Sequence, residues 1–337
     1  MRLGVFIVAS SFGGTYTSRK SKLEMGLQMQ DELNNKKSIV RLKELLISSI
    51  PYVPKCADSK QFLLGHDIGD LLHIYHFWRQ RFLQPVARRY HAPSSVRNDP
   101  LYVRNKVKIN QLRRKIELGE ELSVYMSRRA HTRALDIDEY RESRSFVSSR
   151  DHLLVCEGFY HLHLAALPER TDEILVALVT PDLFDVVGLF THDLFSEDSL
   201  NLGYVKYDQA GEAYLARRFP SGGAFLGGAG GGMQNAAGSS VASTVWQIHC
   251  RKILSRVEAY PEGLKAFTIK LYREIFDRQT SFVNPNWAVA EDGRLLIRDR
   301  KNKHEFWATG DGIWHGQPYI DTINPAQNDR VTTGSAP

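Results

Sequence analysis

Tyr160-His161-Leu162-His163-Leu164 alternates, so as a β-strand it places both imidazoles on one face. Histidine exchanges a proton near neutral pH and is the commonest metal ligand. The pair is therefore a candidate for acid–base chemistry or for coordination. A third histidine, His192, ends a later apolar run, and Arg170, Thr171 and Asp172 fall in the stretch between. Arginine presents a planar fork of donors that suits phosphate. His161, His163, His192 and Arg170 are the candidate catalytic residues, with His161 and His163 as the alternative metal pair.

Three strands must position these side chains. Residues 159–165, 174–180 and 183–190 read as strands rich in Val, Leu and Phe, with Pro181-Asp182 as a tight turn. The simplest antiparallel meander sets Val176 opposite Gly188, Asp172 opposite His192 and His163 opposite Val176. One face then carries His161, His163, Val176, Leu178, Val186, Gly188 and His192. The other carries Leu162, Leu164, Leu175, Ala177, Val187 and Leu189. Both faces are mostly apolar, which predicts a sheet covered on both sides, whose ring nitrogens need partners. At ~3.3 Å per residue and ~4.8 Å per strand, His192 falls roughly 16 Å from His163. Shared zinc coordination needs bonds of about 2 Å, so this register disfavours it. Gly188, in line with His163, leaves room beside the imidazole. The expected cofactor is none, with zinc or another divalent metal as the alternative, and hydrogen-bonded core histidines are the purely structural reading.

The chain of 337 residues is long enough for one large domain or two ordinary ones, and its 42% hydrophobic and 24% charged residues are those of a globular protein. A helical, arginine-rich region is expected over 1–150, opening with a strand at 1–10. An α+β domain is expected over 151–325 and a flexible tail over 326–337. Helices are expected at 40–50, 67–82, 103–118 (closed by Gly119), 120–140, 241–258 and 264–278. A hairpin is expected at 287–298 and a short strand at 153–156. The fold class is α+β, a small mainly antiparallel sheet with flanking helices following the helical half.

Between residues 78 and 150 there are 17 basic and 8 acidic side chains, leaving that segment at +9 in a chain of net +6. Arg79, Arg81, Arg88, Arg89, Arg113, Arg114, Arg128 and Arg129 are the candidate nucleic-acid contacts. A solvated helical surface with internal ion pairs is the alternative. Asp67, Asp70, His73 and His76 recur every third residue of one helix, which fits a polar flank beside an apolar face. The glycine-rich stretch 221–240 lacks the phosphate-loop and dinucleotide-binding spacings. Cys56, Cys156 and Cys250 form no zinc clasp or disulfide framework, which predicts reduced thiols and a cytoplasmic location. No apolar run is long enough to span a bilayer, so no membrane partner is expected.

The block Gly158-Phe-Tyr-His-Leu-His-Leu, then Arg170-Thr-Asp-Glu-Ile-Leu-Val-Ala, then Phe190-Thr-His192-Asp resembles a motif of uncharacterised bacterial proteins. It is also similar, over about 40 residues, to the small sheets of RelE- and barnase-like ribonuclease toxins. That resemblance implies a toxin-like effector of bacterial defence, with His161, His163, His192 and Arg170 cleaving RNA by general acid–base catalysis. The reading as a whole is a nucleic-acid-processing, ribonuclease-like protein, with RNA ahead of DNA as its partner. A nucleic-acid-binding protein with structural histidines and a metal-dependent hydrolase using the His-x-His pair are the alternatives.

Overall fold

The computed structural model describes residues 31–143, 153–154, 158–195, 214, 241–290, 292–309 and 312–319. The strand expected at 1–10, the glycine-rich stretch and the C-terminal tail lie outside them. The fold is α+β. Helix α1 (Lys37–Ser49) turns Ile39, Leu42, Leu46 and Ile47 to the interior, as the i, i+3, i+4 spacing requires. After β1 (Tyr52–Val53) and α2 (Ala57–Leu64), α3 (Ile68–Arg79) begins at Asp67, whose Oδ1 accepts the Gly69 N–H at 2.7 Å. Strand β2 (Arg89–His91) precedes three helices, α4 (Ser94–Arg97), α5 (Pro100–Arg104) and α6 (Lys106–Leu118). Gly119, at φ 71°, ends α6 in the left-handed conformation that lacks a steric penalty only for glycine.

The expected helix over 120–140 is broken. A short turn at Ser123–Tyr125 leads to α7 (Arg128–Thr132), β3 (Leu135–Asp136) and α8 (Ile137–Ser143). β3 pairs in parallel with β1, so tertiary pairing overrides the local helical pattern. Leu153 and Leu154, expected in a strand, lie instead in a helical turn. Then come β4 (Phe159–His163), β5 (Glu173–Val179) and β6 (Leu183–Thr191), with a single helical turn at His192–Phe195. Helices α9 (Val241–Glu258) and α10 (Gly263–Phe276) lead into β7 (Pro285–Val289), β8 (Leu295–Asp299), β9 (His304–Ala308) and β10 (Trp314–Pro318). These last four form an antiparallel sheet in order β10-β9-β8-β7. Among the described residues no helix is long and apolar enough to cross a membrane.

The histidine strands belong to a four-stranded sheet in order β2-β6-β5-β4, in which β2 runs parallel to β6 and the rest are antiparallel. Its fourth strand, β2, comes from the arginine-rich half. The hydrophobic clusters therefore cut across residue 150. One joins residues 33–75 to Cys250, Leu271, Ile297 and Phe306; another packs Ile109, Leu112 and Ile116 against Leu162, Leu175, Phe184 and Val186. A third covers the opposite face of the sheet with Leu153, Leu194 and Tyr214 over Phe159, Ile174 and Val176. The sheet is buried on both faces, as its two apolar rows require.

Phe184 is fully buried in the cluster between this sheet and α6. Phe184→Ala should lower stability by about 3–5 kcal/mol through lost transfer energy and a residual cavity. Urea denaturation checks this, and a loss below about 1 kcal/mol would contradict that packing.

Candidate active site at the end of the histidine sheet

The β5–β6 register is the one the sequence predicts where it matters for the site. Val176 pairs with Gly188, and the His192 N–H donates to the Asp172 carbonyl at 3.1 Å. The β4–β5 register differs by two residues: His161 pairs with Val176, and His163 with Ile174. Thr171 supports this tighter closure. Its Oγ1 accepts the Leu164 N–H at 2.9 Å and donates to the Glu173 carbonyl at 2.7 Å. A shift of two keeps strand parity, so both histidines stay on the expected face.

The shift carries His163 toward His192. Their ring centroids are 5.0 Å apart with an interplanar angle of 21°, which replaces the expected separation of roughly 16 Å. His192 also leaves the strand and enters the helical turn, which the straight-strand projection ignored. A bulge between Val176 and Ala177 makes the second correction. Val186 now packs with Leu175 and Ala177, and Val187 with Val176, so these two valines exchange faces. The space over Gly188 is taken by the Phe190 ring, 2.8 Å from where a Cβ would stand, so it is not a vacancy beside His163.

Hydrogen bonding fixes both imidazoles in the same tautomer. His163 Nδ1 lies 3.1 Å from the Thr171 carbonyl and His192 Nδ1 lies 2.9 Å from the Asp172 carbonyl. A carbonyl only accepts, so each Nδ1 carries the proton and each Nε2 keeps a lone pair. Both lone pairs meet one guanidinium nitrogen: Arg170 Nη2 is 3.0 Å from His163 Nε2 and 3.4 Å from His192 Nε2. The Asp172 carboxylate lies 3.7 Å from His192 Nδ1 on the outer side.

Burial grades the site from inside to outside. His163 is 1% exposed, the His192 side chain 35%, and Arg170 is exposed. Burial, reinforced by the charge of Arg170 and by the neighbouring histidines, lowers the His163 pKa to about 4, against the opposing Thr171 hydrogen bond. His163 is therefore neutral at physiological pH and can accept there but not donate from a cationic form. His161 is set back: it is buried, its ring is 6.5 Å from that of His163, and it packs 5.0 Å from Phe195. The structure thus joins His163, His192 and Arg170, with His161 behind them. Among the described residues no group of three or more His, Cys, Asp or Glu is placed to hold a metal.

The eight candidate arginines divide by burial. Arg88 is buried and donates to the carbonyls of Thr180, Gln84 and Val86 at 2.9, 2.9 and 3.1 Å, joining β2 to the β5–β6 turn. Arg81 is buried over the Phe77 ring, and Arg79 is half-buried over Trp78 and Phe82. Arg81 and Arg88 are thus committed to the interior and unavailable to a nucleic-acid backbone. Arg113 is exposed but pairs with Glu117 at 2.8 Å. Arg89, Arg114, Arg128 and Arg129 are exposed. The basic segment reaches the site at two points. Arg104 pairs with Glu173 at 3.2 Å, and the Val124 carbonyl accepts the Leu167 N–H at 2.8 Å.

Of the spaced acids and histidines, Asp67 caps α3 and His76 stacks on Trp246 at 4.5 Å, while Asp70 is exposed. One arrangement escaped the sequence reading altogether. His91 Nδ1 donates to Asp185 Oδ1 at 2.6 Å, and Tyr214 Oη donates to Asp185 Oδ2 at 3.0 Å. Its only sequence signal is the alternation Arg89-Tyr90-His91.

The depressed His163 pKa sets a pH window. An unfolded histidine titrates near 6.5 and His163 near 4, so the unfolded chain takes up a proton first as the pH falls. The stability difference between wild type and His163→Gln should shift against wild type by about 3 kcal/mol between pH 6.5 and 4, and level off below. Denaturation across that range tests it, and parallel curves would refute it.

No protein-family model matches the chain, no curated protein matches it, and no solved structure does.

Proposed function

We propose that the chain processes nucleic acid, RNA ahead of DNA, by cleaving phosphodiester bonds at the Arg170–His192–His163 cluster. The observation that carries this reading is the single exposed guanidinium set against the Nε2 lone pairs of two imidazoles. Arginine supplies the fork that binds phosphate oxygens and offsets charge building up on them. His192, the more exposed imidazole, is the proton acceptor. As Arg170 turns to the phosphate, its longer 3.4 Å contact with His192 Nε2 is released, and that Nε2 takes the proton of the RNA 2′-hydroxyl as that oxygen bonds to phosphorus. The bond from phosphorus to the 5′ oxygen breaks, the leaving oxygen takes a proton from solvent, and the His192 imidazolium returns its proton to solvent. His163 is a positioning residue: its neutral Nε2 holds Arg170 in place. Arg104, paired with Glu173 at the start of β5, and Val124, bonded to Leu167 in the loop after β4, bring the basic segment to the same end of the sheet, and the exposed Arg128 and Arg129 of that segment add to its attraction for a phosphate backbone.

The second reading, a nucleic-acid-binding protein that does not cleave, is favoured by the burial of His163 and the engagement of both its ring nitrogens. Incubation with labelled RNA and DNA, with and without EDTA, separates the readings. Cleavage of RNA that survives EDTA, falls about 10²–10⁴-fold in His192→Ala, and loses salt-dependent binding in Arg170→Ala is the expected result. His163→Ala should lower kcat, and His163→Gln, which keeps an acceptor, should recover part of it. Binding without cleavage would select the second reading, loss with EDTA the metal-dependent hydrolase, and salt-independent affinity would remove both phosphate readings.

A further inference from the structure

We infer a second phosphate-binding site at the opposite edge of the same sheet, formed by His91 and Arg89 on β2 with Asp185 behind them. The ladder places His91 beside Asp185 and Arg89 beside Leu183. Residues two apart on a strand share a face, so Arg89 and His91 stand together, roughly 7 Å apart along the edge. Tyr90 between them turns the other way and stacks on Phe184 at 5.9 Å.

Burial separates the roles. Asp185 is 5% exposed, yet both of its oxygens are bonded: one accepts from His91 Nδ1, the other from Tyr214 Oη. The His91 side chain is 56% exposed. A buried carboxylate holding the Nδ1–H of an exposed imidazole fixes its orientation and turns Nε2 outward. Arg89 is exposed, and among the described residues no carboxylate lies within ion-pair distance of it. The nearby Asp182 carboxylate accepts from the Thr180 hydroxyl at 2.9 Å.

With Nε2 protonated, the outward His91 ring and the exposed Arg89 guanidinium make a two-point donor site for a tetrahedral oxyanion. Phosphate fits its charge and spread, with one oxygen on His91 Nε2–H and others on the Arg89 fork. The His91 ring, bonded to Asp185 through Nδ1, stands between that carboxylate and the ligand. A tether for β2 alone does not require an exposed Arg89 on the same face. The inference uses none of the residues assigned to phosphodiester cleavage, so either can fail without the other.

Side-chain NMR of histidine-labelled protein at constant neutral pH tests it, with His91→Gln used to assign the signal. Inorganic phosphate and the deoxydinucleotide TpT, which lacks a 2′-hydroxyl, are titrated separately. The expected result is a saturable shift of the His91 ring, weakened roughly fivefold or more by Arg89→Ala and also by the isosteric Asp185→Asn. A response to phosphate alone assigns the site to a free or terminal phosphate, and a response to TpT assigns it to a phosphodiester backbone. An unmoved His91 signal with both probes, or a shift that survives Arg89→Ala unchanged, overturns the inference.

Discussion

The sheet β2-β6-β5-β4 is covered on both faces, and that constraint governs every polar group it carries. Water is excluded from most of its surface, so each imidazole, carboxylate and guanidinium on it must find a protein partner or leave through an edge. His163 finds the Thr171 carbonyl and Arg170, Asp185 finds His91 and Tyr214, and Arg88 finds three carbonyls. These bonds settle which side chains are structural and which extend from the interior to solvent. Arg88 is spent inside. Arg170 and His91 are the outer members of chains that begin at a buried partner.

The two outer groups sit at opposite corners of one layer and share a design. In each, a buried group fixes the orientation of an exposed one. His163 is kept neutral by burial and by the Arg170 charge, which makes its Nε2 a lasting acceptor for the guanidinium. Asp185 acts in the opposite sense, holding a proton on the inner nitrogen of His91. An oriented exposed group loses less freedom on meeting a ligand than a mobile surface side chain does. That difference distinguishes these positions from Arg114 or Arg128, which are merely exposed.

Local patterning made much of the architecture legible. The apolar spacing in α1, α3 and α10, the glycine that closes α6 and the turn between β7 and β8 all follow from short-range rules of period and backbone freedom. Alternation in Tyr160–Leu164 put His161 and His163 on one face, because strand period is a property of the chain itself. The segment 120–140 failed under the same logic: its helical pattern is weak, and pairing of β3 with β1 was worth more than the local preference.

The sequence by itself determined the α+β class, the shared face of His161 and His163 and the chemical types of the candidate groups. Only the tertiary structure decided which of them meet. Register depends on how a loop closes, and the Thr171 hydroxyl bonding across to Leu164 and Glu173 accompanies a closure two residues from the simplest projection. That shift, with the turn at His192, brings two imidazoles and a guanidinium together. The pairing of His91 with Asp185 was likewise hidden, since it joins residues 94 apart in sequence. Periodicity reports which face a side chain occupies only as far as the next bulge, as Val186 and Val187 show; which neighbour it faces depends on strand order and loop closure, and those are set by packing across the whole chain.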